Sequence, residues 1–233
     1  MSRNIIFNGP DGKLEGRYSP SKGDRSPAVL VLHPHPLHGG TMNNRIVHRT
    51  YETFIKHGFS ALKFNFRGVG KSQGVFDKGV GEMSDAAAAL DWLQKENPEA
   101  SSYWVAGFSF GAWIALQLIM RRPEVKYWIA IAPPAATYEF LAPCPSAGLI
   151  VQGTEDTISP EDQTYGLYER LSKQRKADVE YIAIDGANHF FVDKIDEFCG
   201  GLDSYIVPRM KEQDEISTTL KQDKKRLQVL DEE

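Results

Sequence analysis

Three residues that together could open an acyl bond are spread along this chain of 233 residues. The first is the serine of "VAGFSFGAW", where Gly107, Ser109 and Gly111 form a G-x-S-x-G pattern. Alone, the pattern says little in a chain with 20 glycines. Its setting says more, because an apolar strand-like run precedes it and an apolar helix-like run comes after, as a nucleophile elbow requires. So sharp a turn strains the serine backbone. Side chains two residues before and after would collide, so both positions take glycine. The hydroxyl is then aimed away from the sheet at a helix N-terminus, where N–H groups and the helix dipole favour developing negative charge.

A serine hydroxyl needs a base within hydrogen-bond reach. "AIDGANHFF" puts His189 in a loop just after a strand-like run, while His48 and His57 fall on a predicted helix. "LIVQGTEDTISPED" puts Asp156 three residues beyond Gly153, where its carboxylate could accept from the imidazole Nδ1–H and hold the tautomer. Glu155 is the rival acid, and adjacency alone does not decide which of the two turns inward. Asp156 ranks first because Ile158 and Pro160 come after it in a turn-and-helix-start pattern. Asp162 opens the next helix and reads as a helix-dipole residue.

"HPHPLHGG" (33–40) holds three of the six histidines and raises a metal reading. Metallo-hydrolases with H-x-H-x-D-H carry an acid where Leu37 stands here. A catalytic zinc needs three well-placed ligands with supporting carboxylates, and beyond this loop only His48, His57 and His189 remain. No metal is expected. Polar packing at the sheet edge is the expectation for His33 and His38.

The elements that must position these groups alternate along the chain. "NIIFNG" and "LEGRY" predict two short strands around a turn at Pro10–Gly12. Further strands are predicted at 28–33, 60–66, 102–108, 126–133, 147–153 and 179–186. Helices are predicted at 44–58, 81–98, 110–123, 161–175 and 194–210, the last bent at Pro208. Runs such as "AVLVLH" suit strands covered on both faces. The order predicts an α/β fold: a mostly parallel twisted sheet of about eight strands, helices on both faces and an antiparallel edge. The connection 134–146 is too short for a large cap domain. One domain spans 1–210, and 211–233 is a charged tail read as a solvated helix or a partly disordered end.

Charge and composition exclude other classes. The 27 basic residues are scattered and outnumbered by 31 acidic ones, so no nucleic-acid partner is expected. No run approaches a membrane span, and "MSRNIIFNGPDGKLEG" lacks the apolar core of a signal peptide, so the protein reads as cytoplasmic. Cys144 and Cys199 read as free thiols. "NFRGVGKSQG" lacks the G-K-[ST] of a phosphate-binding loop. Arg67, within it, could meet a substrate carboxylate, but an ion pair with Asp85 is preferred.

The segments "VLHPHPLHGGTMNN", "LKFNFRGVGKSQG", "GEMSDAAAALDW", "VAGFSFGAW", "GTEDTISP" and "GANHFF" together resemble the α/β-hydrolase superfamily. Within it the chain is similar to the dienelactone-hydrolase-like group, and more closely to small, lidless, mostly uncharacterised bacterial serine hydrolases. The resemblance spans about residues 5 to 210 and shares the order Ser109, Asp156, His189. It implies that triad, the α/β-hydrolase fold without a large cap, and no metal or organic cofactor. Dienelactone hydrolase itself uses a cysteine nucleophile where Ser109 stands, so its substrate does not carry over.

In this fold the elbow supplies one oxyanion N–H, here that of Phe110, and the loop after the third strand a second. Pro34 and Pro36 have no N–H to give. His35 N–H is then the first candidate and Leu37 N–H the second. Phe110, Trp113, Tyr138, Phe140 and Phe190 could wall an acyl pocket, with Leu37 beside them, although Trp113 reads equally as packing. The expected activity is serine hydrolysis of a small-molecule carboxylic ester, with thioester and small amide open. Short chains are expected because no lid is expected. Acyl transfer and non-enzymatic binding on the same fold are the alternatives. A homo-oligomer is compatible with the sequence.

Overall fold

The computed structural model describes residues 1–23, 25–137, 146–175 and 177–230, and for 213–230 the course of the backbone alone. Among the described residues eight strands form one sheet: β1 Arg3–Gly9, β2 Gly12–Ser19, β3 Ala28–Leu32, β4 Ser60–Phe64, β5 Tyr103–Phe108, β6 Val125–Ile131, β7 Ala147–Gly153 and β8 Val179–Ile184. Their order in space is β1-β2-β4-β3-β5-β6-β7-β8. The β1–β2 and β2–β4 pairs are antiparallel, and the remaining pairs are parallel.

Period-two alternation divides the central strands between two cores. Leu30, Leu32, Leu62, Phe64, Val105, Trp128 and Ile150 face one side. Val29, Val31, Ala61, Trp104, Ala106, Ile129 and Val151 face the other. Both faces are buried, so these strands read as continuous apolar runs. Helices α2 (Val80–Glu96), α3 (Phe110–Ile119) and α4 (Glu161–Ser172) cover the first face. Helices α1 (Arg45–Lys56) and α5 (Ile195–Leu230) cover the second. Each buried large side chain contributes about 1.5–3 kcal/mol relative to exposure.

Helix boundaries obey local chemistry. Asn44 caps α1, its Oδ1 accepting from the N–H groups of Ile46 and Val47. Gly58, at φ 82°, ends the turn after it. At the start of α2, Glu82 accepts from the N–H groups of Asp77 and Gly79. The connection after β3 contains a single 3-10 turn, Pro36–His38.

Most boundaries shift by one to four residues from the sequence expectation; α3, for one, ends at Ile119 rather than at residue 123. The fourth strand ends at Phe64 rather than at residue 66. The last helix continues past 210 to Leu230, so the division at 210/211 falls inside α5. Pro208 lies within that helix without ending it. Its missing N–H removes one bond from the ladder, and the helical turns on either side keep theirs.

Strand order reverses at β3: β4 lies on one side of it and β5 on the other. In a sheet of this kind the crevice at the carboxyl ends of the strands flanking such a switch is where ligands bind. The loops after β3, β5, β7 and β8 all emerge at that edge.

Candidate active site

Ser109 joins β5 to α3 with φ 54° and ψ −119°, a strained conformation for a residue with a side chain. Its N–H donates to Ile131 O at 2.8 Å, and its carbonyl accepts from Ala112 N–H at 2.9 Å. The flanking glycines have no room for more. A Cβ on Gly107 would overlap the Gly111 carbonyl, and one on Gly111 would lie 2.5 Å from Leu32 O and 2.6 Å from His33 O. These obstacles are backbone atoms, which cannot swing aside as a side chain could.

His189 reaches Ser109 from the loop after β8. Gly186, at φ 66°, turns the chain there, and Asn188 Oδ1 accepts from the N–H groups of Phe190 and Val192. The buried imidazole packs between Phe108 and Phe190, with ring centroids at 5.1 and 5.2 Å. Its Nδ1–H donates to Asp156 Oδ2 at 2.7 Å, and its Nε2 lies 3.1 Å from Ser109 Oγ. With the Nδ1 proton on the carboxylate side, Nε2 carries a lone pair that faces the Ser109 hydroxyl.

Asp156 comes after β7 and is enclosed by donors. Its Oδ1 accepts from the N–H groups of Ile158 and Ser159, both at 2.8 Å. Its Oδ2 accepts from His189 and from Gln152 Nε2, the latter at 3.1 Å. Burial pushes the carboxyl pKa upward. The His189 hydrogen bond and charge and the two backbone N–H groups outweigh that and hold it below the ordinary aspartate value. Glu155, the rival acid, is exposed, and its N–H is spent on Ala187 O at 2.9 Å. That bond and Thr154 N–H to Ile184 O, at 3.1 Å, tie the acid loop to the histidine loop.

The histidine-proline loop resolves into separate roles. His33 is wholly buried; its Nδ1–H donates to Pro34 O at 2.6 Å and its Nε2 accepts from Phe66 N–H at 3.0 Å. Both ring nitrogens are therefore engaged. Burial pushes its pKa down to about 4, against a smaller upward pull from the Pro34 carbonyl. His38 stacks on His35 with centroids 4.3 Å apart. The His35 ring also packs against Phe76 and Phe110, at 4.9 and 5.0 Å. Its Nδ1 accepts Leu37 N–H at 3.2 Å, so the second oxyanion candidate is already occupied. His35 N–H, in contrast, donates to no acceptor among the described residues. Among the described residues, no three His, Cys, Asp or Glu side chains gather as a metal site would require.

The other candidates separate in space. Phe110 opens α3 directly after Ser109 and is buried. Phe190 is half exposed beside His189, and Leu37 is exposed on the histidine loop. Trp113 packs on Phe110, with centroids 5.6 Å apart. Tyr138, Phe140 and Cys144 lie outside the described residues. Arg67 forms a two-pronged ion pair with buried Asp85, at 3.0 and 2.8 Å. Sequence reasoning missed Gln152 and Phe76. For Gln152 a signal existed: an amide inside the apolar strand "AGLIVQG" must find buried partners.

Comparison with known proteins agrees with this architecture. The family model described as X-Pro dipeptidyl-peptidase (S15 family) matches residues 17–143, which include Ser109. A protein of unknown function from Agrobacterium tumefaciens, described as a candidate α/β hydrolase, is 52% identical with a TM-score of 0.87, covering 90% of this chain and 97% of its own. An α/β serine hydrolase homologue from Coxiella burnetii is 37% identical with a TM-score of 0.78, covering 86% and 95%. An α/β serine hydrolase without a lid from Xanthomonas campestris is 32% identical with a TM-score of 0.80, covering 87% and 92%. No helix among the described residues is long and apolar enough to cross a membrane.

Proposed function

This chain belongs to the α/β serine hydrolases, in the S15 family of the X-Pro dipeptidyl-peptidases, and from that premise we propose that it cleaves small carboxylic esters through an acyl-enzyme. The observation that carries the proposal is the unbroken hydrogen-bond chain Ser109–His189–Asp156 at 3.1 and 2.7 Å.

Ser109 Oγ attacks the acyl carbonyl while its proton passes to His189 Nε2. Asp156 stays ionised and stabilises the imidazolium through Nδ1–H. The tetrahedral oxyanion is held by the N–H groups of Phe110 and His35. Its collapse breaks the bond to the alkoxy group, which takes the proton back from Nε2. Water then enters and its oxygen attacks the acyl carbon while His189 Nε2 takes its proton; collapse breaks the bond to Ser109 Oγ, which receives that proton, and the free acid leaves. Every proton is returned, so the cycle needs no cofactor. Leu37 and Phe190 are assigned to the substrate side, where apolar surface suits an acyl or alcohol group.

The S15 match favours one further reading, cleavage of an amide after an Xaa-Pro pair, which uses the same groups. A panel of p-nitrophenyl esters, thioesters and Xaa-Pro amides separates the two. Ester turnover with a burst of one equivalent of phenolate supports the ester proposal. Turnover confined to Xaa-Pro amides overturns it.

A further inference from the structure

We propose that Gln152 is the positioning residue for Asp156, its side-chain amide fixing which carboxylate oxygen meets His189. The inference rests on the hydrolase proposal and adds to it a residue outside the triad.

Gln152 is wholly buried near the end of β7, between Val151 and Gly153. Its Nε2 lies 2.8 Å from Ser159 O, 3.1 Å from Asp156 Oδ2 and 3.2 Å from Gly153 O. All three partners are acceptors. Turning the amide over would set Oε1 against three oxygens, so this orientation is forced. The consequence is that Oε1 has no hydrogen-bond partner among the described residues. A buried amide with an unpaired carbonyl is a poor choice for stability alone, since the neighbouring positions of the strand are filled by Ile150 and Val151. What the residue accomplishes is local. Backbone N–H groups of Ile158 and Ser159 hold Oδ1, and Gln152 holds both Oδ2 and the Ser159 carbonyl. The amide thus closes a ring around the carboxylate and leaves one direction open, toward His189.

The amide also acts electrostatically. A donor on Oδ2 draws charge from the carboxylate and limits how strongly it favours the imidazolium. Other ionisable groups stand further out. Glu155, Asp185 and Asp193 are exposed and Lys194 is half-buried on the two loops. On α4, Glu161 accepts from Tyr181 O–H and Asp162 is exposed. Helix α3 carries no ionisable residue.

The test uses the full chain and a fluorophosphonate, whose second-order rate of inactivation is measured against pH together with the unfolding midpoint. Gln152→Met and Gln152→Leu both remove the donor at nearly constant volume. The acid limb of the profile should move to higher pH in both variants, by on the order of half a pH unit. The plateau should fall for both. If one variant does not fold, the other still gives the direction. A folded variant whose limb stays at the wild-type position overturns the inference, even if its plateau falls, because a purely structural role would do that. A wild-type chain that does not react overturns the hydrolase proposal and this inference with it. A reactive wild type with unmoved variants overturns this inference alone.

Discussion

Ser109 Oγ and His189 Nε2 lie 3.1 Å apart although 80 residues separate them in the chain. Two devices make that distance hold. The strained backbone of Ser109 lifts its hydroxyl off the sheet. The Asn188 side chain and the bonds between the loops after β7 and β8 fix the imidazole from the other side.

Asp156 and Glu155 are neighbours in sequence with opposite surroundings. Asp156→Asn should lower kcat by about 10⁴-fold, because the amide leaves His189 in the wrong tautomer, with little change in KM. Glu155→Gln should leave kcat close to wild type, since the side chain is exposed. Steady-state kinetics on one activated ester checks both. Equal losses would contradict the assignment.

The His35 backbone can be tested by a pair of substitutions. His35 has φ −53°, which proline accepts, so His35→Pro removes the N–H without forcing that angle. His35→Ala removes the ring stack and the cap on Leu37 but keeps the N–H. The proline variant should be slower than the alanine variant by about 10²–10³-fold in kcat, the loss expected for one oxyanion donor. Equal rates would remove His35 from the oxyanion site.

Gly111 is required by the close approach of the β3 backbone. Gly111→Ala sets a methyl group 2.5 Å from Leu32 O, so the end of β3 or the elbow must shift. The cost should be about 1–3 kcal/mol, seen in urea unfolding. Activity should fall further than the folded fraction, because the same shift displaces Ser109.

His33 makes stability depend on mild acid. Its folded pKa is pushed down to about 4, so as pH falls the unfolded chain takes the proton first. The contribution of the neutral buried ring is complete above the unfolded value near 6.5 and is lost as pH falls toward 4, amounting to about 3 kcal/mol. Urea unfolding at pH 7.5 and 4.5 should show that loss, and His33→Gln should reduce it. An unchanged difference in the variant would show that other groups carry the acid sensitivity.

The fold was legible in the sequence because burial on both faces leaves an unmistakable mark. "AVLVL" and "YWVAGF" have no polar face and could only be central strands. Ser109, Asp156 and His189 stood out because each comes just after such a run, and parallel strands bring the loops at their carboxyl ends to one edge. Other features were hidden for physical reasons. The continuation of α5 past 210 stayed open between a solvated helix and a disordered end, because the charged stretch from Lys211 carries no apolar stripe that would mark a helix packed on a core. The choice between Asp156 and Glu155 depended on a turn whose N–H groups collect on Asp156 Oδ1, which adjacency in sequence does not reveal. His33 resembled a ligand by spacing, yet its ring locks the start of the next loop at Phe66.

Labelling with a fluorophosphonate, then mass mapping of the adduct, tests the central claim most directly. The native chain should take up one equivalent on the peptide carrying Ser109, and heat-unfolded protein or His189→Ala should take up almost none. A native, folded chain that stays unlabelled, or carries the adduct on another residue, would contradict the assignment of Ser109 as the nucleophile.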